Sequence, residues 1–220
     1  MSRQQVLDPI DGYIREISSL LPYPETLKTP VLEELKRDVQ DAMGTEKRPP
    51  SVVFGSPIDV AKNLSIAQNW GTRSASWGTR FIAFIIDMAS LFGVYAIFFI
   101  FQLILVDFHI DEIRWYEMRI PFGFLFVGIP MVIFILVYFI IAERTFSTTL
   151  GKKLLGLIVV DESGINITWT QSLIRNTTKV PFLASFLPFD FLLGILSEKT
   201  RGRKQRVLDF VAGTKVVHQK

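Results

Sequence analysis

The sequence predicts an all-α membrane protein with a small soluble helical domain ahead of its spans. Three observations carry that prediction. Residues 81–106 and 121–142 are apolar runs with almost no charge, and each exceeds the roughly 20 apolar residues that a bilayer crossing needs. Residues 1–80 instead read as ordinary soluble sequence with amphipathic helical spacing. The composition, 49% hydrophobic, leans the same way. The chain therefore divides into a soluble part, residues 1–70, and a membrane part, residues 71–220.

Three helices are expected in the soluble part. Ile10, Ile14, Ile17 and Leu21 fall on one face, and Pro22 and Pro24 end that first helix. Thr29 and Pro30 suit the cap and first turn of a second helix, whose apolar stripe is Leu32, Leu35, Val39 and Met43. After a loop through Pro49, Pro50 and Gly55, Ser56-Pro57-Ile58-Asp59 opens a third helix toward Trp70. Met1 to Ile10 lacks a basic segment followed by an apolar one, so no cleaved signal is expected and this part should stay in the cytoplasm. Basic and acidic residues balance over residues 1–80, which argues against nucleic acid as a partner and for protein contact.

In the membrane part, the 107–120 loop carries two arginines against Asp107, Asp111, Glu112 and Glu117, so it belongs outside. Residues 143–179 hold five basic residues and residues 197–220 hold seven, so both belong inside. Both termini are then cytoplasmic, in a multi-pass plasma-membrane topology. The third hydrophobic segment, 180–196, is short, contains Pro181 and Pro188, and carries Asp190. A broken or re-entrant helix fits it. Two β-like stretches, residues 156–160 and 213–217, the first followed by the turn Asp161-Glu162-Ser163-Gly164, suggest a small cytoplasmic sheet. Pro130, with Gly123 and Gly128, should kink the second span near Phe126. Trp77, Trp115, Tyr116 and Trp169 lie where interfacial anchors belong.

The absence of cysteine excludes disulfides, thiolate metal sites and cysteine nucleophiles. His109 and His218 stand alone, so no metal and no cofactor are expected. A charged side chain at the bilayer centre costs about 2.5–3.5 kcal/mol on insertion scales, so Asp87 and Asp190 stand out. Asp87 follows Arg80 by seven residues, on nearly the same helix face but roughly 10 Å further along the axis. Arg80 must therefore find its counter-charge elsewhere. Two readings of this set stay open, a functional site or a polar network that locks helices together.

Two resemblances add to this. Tyr13-Ile14-Arg15-Glu16, Leu32-Glu33-Glu34-Leu35 with Asp38, Phe54-Gly55-Ser56-Pro57 and Val60-Ala61-Lys62-Asn63-Leu64 resemble the HAAS family over residues 7–68. That resemblance implies a helical domain fused to permease-like membrane segments, associated with transcriptional regulators of the PadR type. Trp77-Gly78-Thr79-Arg80-Phe81-Ile82-Ala83-Phe84-Ile85-Ile86-Asp87, then the stretch Thr149-Leu150-Gly151-Lys152-Lys153-Leu154-Leu155-Gly156-Leu157-Ile158-Val159-Val160, then Arg206-Val207-Leu208-Asp209-Phe210-Val211-Ala212-Gly213-Thr214, resemble the RDD family over residues 75–217. The arginine and two aspartates that name the family match Arg80, Asp87 and Asp209, while Leu208 departs from the family's small residue, often glycine. The resemblance implies a membrane protein of a family that includes transporters, with sodium/proton antiport in some members.

The expected site is an ion pair of Arg80 with Asp209 near the inner interface, Asp87 deeper as a titratable carboxylate, and Asp190 as a further member. Transport or a transport-accessory role leads, and with few helices in the chain a homo-oligomer or another membrane protein is required. The alternative is a non-transporting adaptor whose residues 1–70 bind a cytosolic regulator. No enzymatic activity is expected: Asp87, Asp190 and Asp209 lack the Gly-x-Gly-Asp context of intramembrane aspartyl proteases. Gly151-Lys152 lacks the glycine and the hydroxyl residue of a phosphate loop and reads as an interfacial basic turn.

Overall fold

The computed structural model describes residues 8–44, 48–107, 129–179 and 187–219. The helices α1 (Pro9–Leu20), α2 (Glu25–Met43), the one-turn α3 (Pro50–Val53) and α4 (Pro57–Ala67) come first. Asp8 caps α1 by accepting from the Ile10 amide at 3.0 Å, and Ser56 caps α4 by accepting from the Asp59 amide at 3.2 Å. Helix α2 differs from the expectation. It starts at Glu25 and takes Pro30 into its interior, because burial of Lys28 and Leu32 against the core keeps the preceding turn helical. The Lys28 ammonium holds Glu25 at 2.8 Å and reaches back to the Ser18 carbonyl at 3.4 Å.

Among the described residues two helices are long and apolar enough to cross a membrane: α5 (Trp77–Asp107), over Trp77–Ile97, and α6 (Ile129–Phe146). Only 22% of each apolar window is buried, which separates them from the core helices of a water-soluble fold. The Pro130 kink at Phe126, the glycines beside it, His109, Trp115, Tyr116 and residues 180–186 lie outside the described residues. Beyond α6 follow α7 (Leu150–Leu154), β1 (Leu157–Asp161), α8 (Trp169–Asn176) with the 3-10 turn Thr177–Lys179, α9 (Leu187–Leu196), α10 (Glu198–Arg201), α11 (Val207–Val211) and β2 (Thr214–His218).

The expected strands pair. β1 runs antiparallel to β2 with Leu157 opposite His218 and Asp161 opposite Thr214, and Ser74 bridges to Val217 on the other side. Segments preceding the first apolar helix, following the second, and following α11 thus meet in one sheet. Both faces of it are buried. Ile158, Val160 and Val217 point into a core with Tyr13, Ile17, Leu21, Leu32, Val39 and Ala61 of the first helices. Leu157, Val159 and Val216 point the other way, toward Ala75, Ala83 and Ile167. Tyr23 stitches the two layers by donating to the Gly164 carbonyl at 2.9 Å, and burial pushes its phenol up to about 12.

Candidate functional site

Among the described residues, the two apolar helices and the segments that follow them bring together nine buried ionisable side chains: Arg80, Asp87, Glu143, Lys152, Arg175, Lys179, Asp190, Arg206 and Asp209. They gather at three carboxylate nodes. The first is Asp209, on the first turn of α11 and fully buried. It faces three guanidinium groups: Arg80 Nη1 at 3.1 Å, Arg175 Nη2 at 3.1 Å and Arg206 Nη2 at 2.9 Å. Burial alone would raise the Asp209 carboxyl, but Arg206, Arg175 and Arg80 outweigh it and hold it well below the usual carboxylate range. Asp190 adjoins this node. It accepts from the Leu208 amide at 3.0 Å, capping α11, and lies 3.6 Å from Arg206.

The second node is Glu143, at the end of α6 and 0% exposed. Lys152 donates to Oε1, Lys179 reaches the same oxygen at 3.3 Å, and Arg175 and Asn176 meet Oε2 at 3.1 and 2.8 Å. Burial pushes both lysine ammonium groups below their ordinary value, and Glu143 only partly restores them. Lys179 also sits 3.5 Å above the Phe139 ring. Arg175 links the nodes, since its Nε faces Glu143 and its Nη2 faces Asp209.

The third node is Asp87, midway along the apolar part of α5. Its partners are neutral: the Thr149 hydroxyl at 2.5 Å, the Gly151 amide at 2.7 Å and the Tyr138 hydroxyl at 3.1 Å. The chain leaves α6 through Ser147, at φ 54°, and this turn delivers Thr149 and Gly151 to the carboxylate. α7 lies so close to α5 that a Cβ at Gly151 would overlap the Ala83 carbonyl.

The expected pair of Arg80 with Asp209 is present, and Asp190 joins it through Arg206. Asp87 stands apart, held by hydroxyl and amide donors. Leu208 fits because its position is helical and needs no glycine. Sequence reasoning missed Glu143, Lys152, Arg175, Lys179 and Arg206. Gly151-Lys152 is no interfacial turn: Lys152 is 8% exposed, inside the cluster. A signal existed in α8, where Ser172, Arg175 and Asn176 turn inward and leave Trp169 and Leu173 exposed, the reverse of a soluble amphipathic helix.

Nothing among curated proteins or solved structures matches the chain. The sequence profile of the RDD family matches residues 74–213, from the strand-like Ser74 through both apolar helices and all three nodes to the threshold of β2. With well over half of its length matched, the chain belongs to the RDD family.

Proposed function

We propose that this chain is a plasma-membrane transport or transport-accessory protein in which the buried Arg, Lys, Asp and Glu cluster handles ions at the cytoplasmic ends of the spans. One observation carries the reading: two apolar helices deliver Arg80, Asp87 and Glu143 into a water-excluded charge network. Ionisable groups at such depth mark ion pathways by default, because their insertion is expensive. Asp87 is the member closest to the apolar layer and lacks a cationic partner within salt-bridge distance among the described residues, which suits a carboxylate that exchanges a proton or a cation. Two helices enclose no path alone, so the active unit is a homo-oligomer or includes a second membrane protein. Cation-driven pH change in proteoliposomes tests this: Asp87→Asn should abolish it, and unchanged flux overturns the proposal.

The shared sheet supports cytoplasmic termini, because the strands flank both spans and segment 180–196 and must lie on one side of the bilayer. The cysteine-free sequence makes the test clean. A cysteine placed at exposed Lys199 should resist membrane-impermeant maleimide in intact cells, whereas external labelling refutes the orientation.

A second reading, an adaptor, rests on the first four helices. Val52, Val53, Ile58 and Ile66 are 61%, 40%, 46% and 65% exposed there, more apolar surface than a free-standing layer needs. Together with the HAAS-like motifs this supports binding of a cytosolic regulator. A regulator that co-purifies equally with the Asp87→Asn protein favours the adaptor; one lost with it does not.

A further inference from the structure

Between the Asp209 and Glu143 nodes the structure leaves a cavity of ≈ 30 Å³. Arg80, Lys152, Arg175, Lys179 and Arg206 line it, together with Asp87 and the apolar Phe84, Phe139 and Val216. Such a volume exceeds the roughly 10–15 Å³ that a single water requires, so a small ion fits. Five cations and one carboxylate make an unusual wall. Asp87, the sole carboxylate among the described residues of that wall, already accepts from Thr149, Gly151 and Tyr138.

Two observations converge on negative charge. With both lysines protonated, the nine buried groups comprise five cations and four carboxylates, one positive charge in excess among the described residues, and the burial that lowers Lys152 and Lys179 makes that excess costly unless an anion joins it. In addition, Arg175 Nη1 and Arg80 Nε find no hydrogen-bond acceptor among the described residues, although both side chains are at most 5% exposed and both line the cavity. Buried donors without acceptors carry a desolvation penalty that an ion or a water would relieve. A water relieves the donors alone, while a monovalent anion also removes the excess charge.

We propose that this cavity binds a single halide ion, chloride under physiological conditions, which completes the charge network at the base of the spans. The proposal does not rest on transport, since a chain that moves no solute would still need the charge compensated.

The test uses the full-length protein in detergent, with sodium gluconate exchanged for sodium chloride or bromide at constant ionic strength. The melting temperature should rise with the logarithm of halide concentration, by about 3–5 °C for each tenfold increase above the dissociation constant. Lys179→Met removes the excess charge and leaves Glu143 with Lys152, Arg175 and Asn176, so its melting temperature should no longer respond to halide. Crystals of the unaltered protein grown in bromide should show an anomalous peak inside the cavity, and this decides the matter if Lys179→Met fails to fold. A halide-independent melt, a halide response that survives Lys179→Met, or bromide absent from the cavity each overturns the proposal. Because no flux is measured, failure here leaves the transport reading standing, and failure of flux leaves this one standing.

Discussion

Replacing Asp209 by Asn removes the one negative charge that three buried guanidinium groups share. The side chain is 0% exposed, and Arg80, Arg175 and Arg206 approach it at 3.1, 3.1 and 2.9 Å. Removing one partner of a buried ion pair costs about 3–5 kcal/mol, because the orphaned charge stays desolvated. Here Arg80 loses its carboxylate outright, while Arg206 retains Asp190 at 3.6 Å and Arg175 retains Glu143 at 3.1 Å, so the middle of that range is expected. At roughly 2–4 °C per kcal/mol for a chain of this size, the melting temperature should fall by about 10 °C. Arg80→Gln combined with Asp209→Asn should cost less than the sum of the two, since the pair is then removed together. Differential scanning fluorimetry in detergent reads both numbers. A single Asn variant within about 2 °C of the parent would show that the ion pairs contribute little and that packing around α11 holds this region.

Three further outcomes are expected. Because burial lowers the folded-state values of Lys152 and Lys179, the unfolded chain binds more protons between those values and the ordinary 10.5, so stability should rise with pH through that window. Tyr23, raised to about 12, contributes fully below pH 10 and loses its contribution as pH climbs from 10 to 12, so the lysine gain ends near 10.5 and gives way to a fall. Denaturation series across pH should show this slope, and a slope unchanged in Lys179→Met refutes the assignment to that lysine. Gly151→Ala should cost about 1–3 kcal/mol or more, because its Cβ would lie 2.9 Å from the Ala83 carbonyl carbon. Gly78→Ala, with open space around it, serves as the control, and equal melting of the two would exclude the close approach. Tyr23→Phe should lose about 1 kcal/mol with its bond to Gly164, and hydrogen exchange at 158–165 should quicken; unchanged exchange argues against Tyr23 as the link between the layers.

Much of the architecture was legible because it obeys single-segment rules. Apolar length marked α5 and α6, and β-branched runs beside a turn marked β1 and β2. Geometry on one helix denied Arg80 its neighbour Asp87, and the resemblance to the RDD family supplied Asp209 as the partner. The Glu143 node was not, for a physical reason. Lys152 and Lys179 carry the charges that flank any cytoplasmic span end, and Glu143 ends an apolar run where a carboxylate is ordinarily wet. Only tertiary folding reveals that α7 and α8 carry these residues inward. The start of α2 was missed on the same grounds, because contacts from Lys28 and Leu32 outweigh a local proline preference.

The pairing of Arg80 with Asp209 spans 129 residues, and the strand beside it joins Ser74 to Val217. Synthesis runs in one direction, so the first apolar helix emerges with its guanidinium long before the carboxylate that neutralises it exists. Until residues 206–217 emerge, Arg80 therefore lacks the carboxylate it meets in the folded chain. The arrival of residues 206–217 then acts as a closing step: it gives Arg80 its carboxylate and pairs the free edge of β1. A chain interrupted before that point leaves Arg80 without Asp209 and β1 with an open edge.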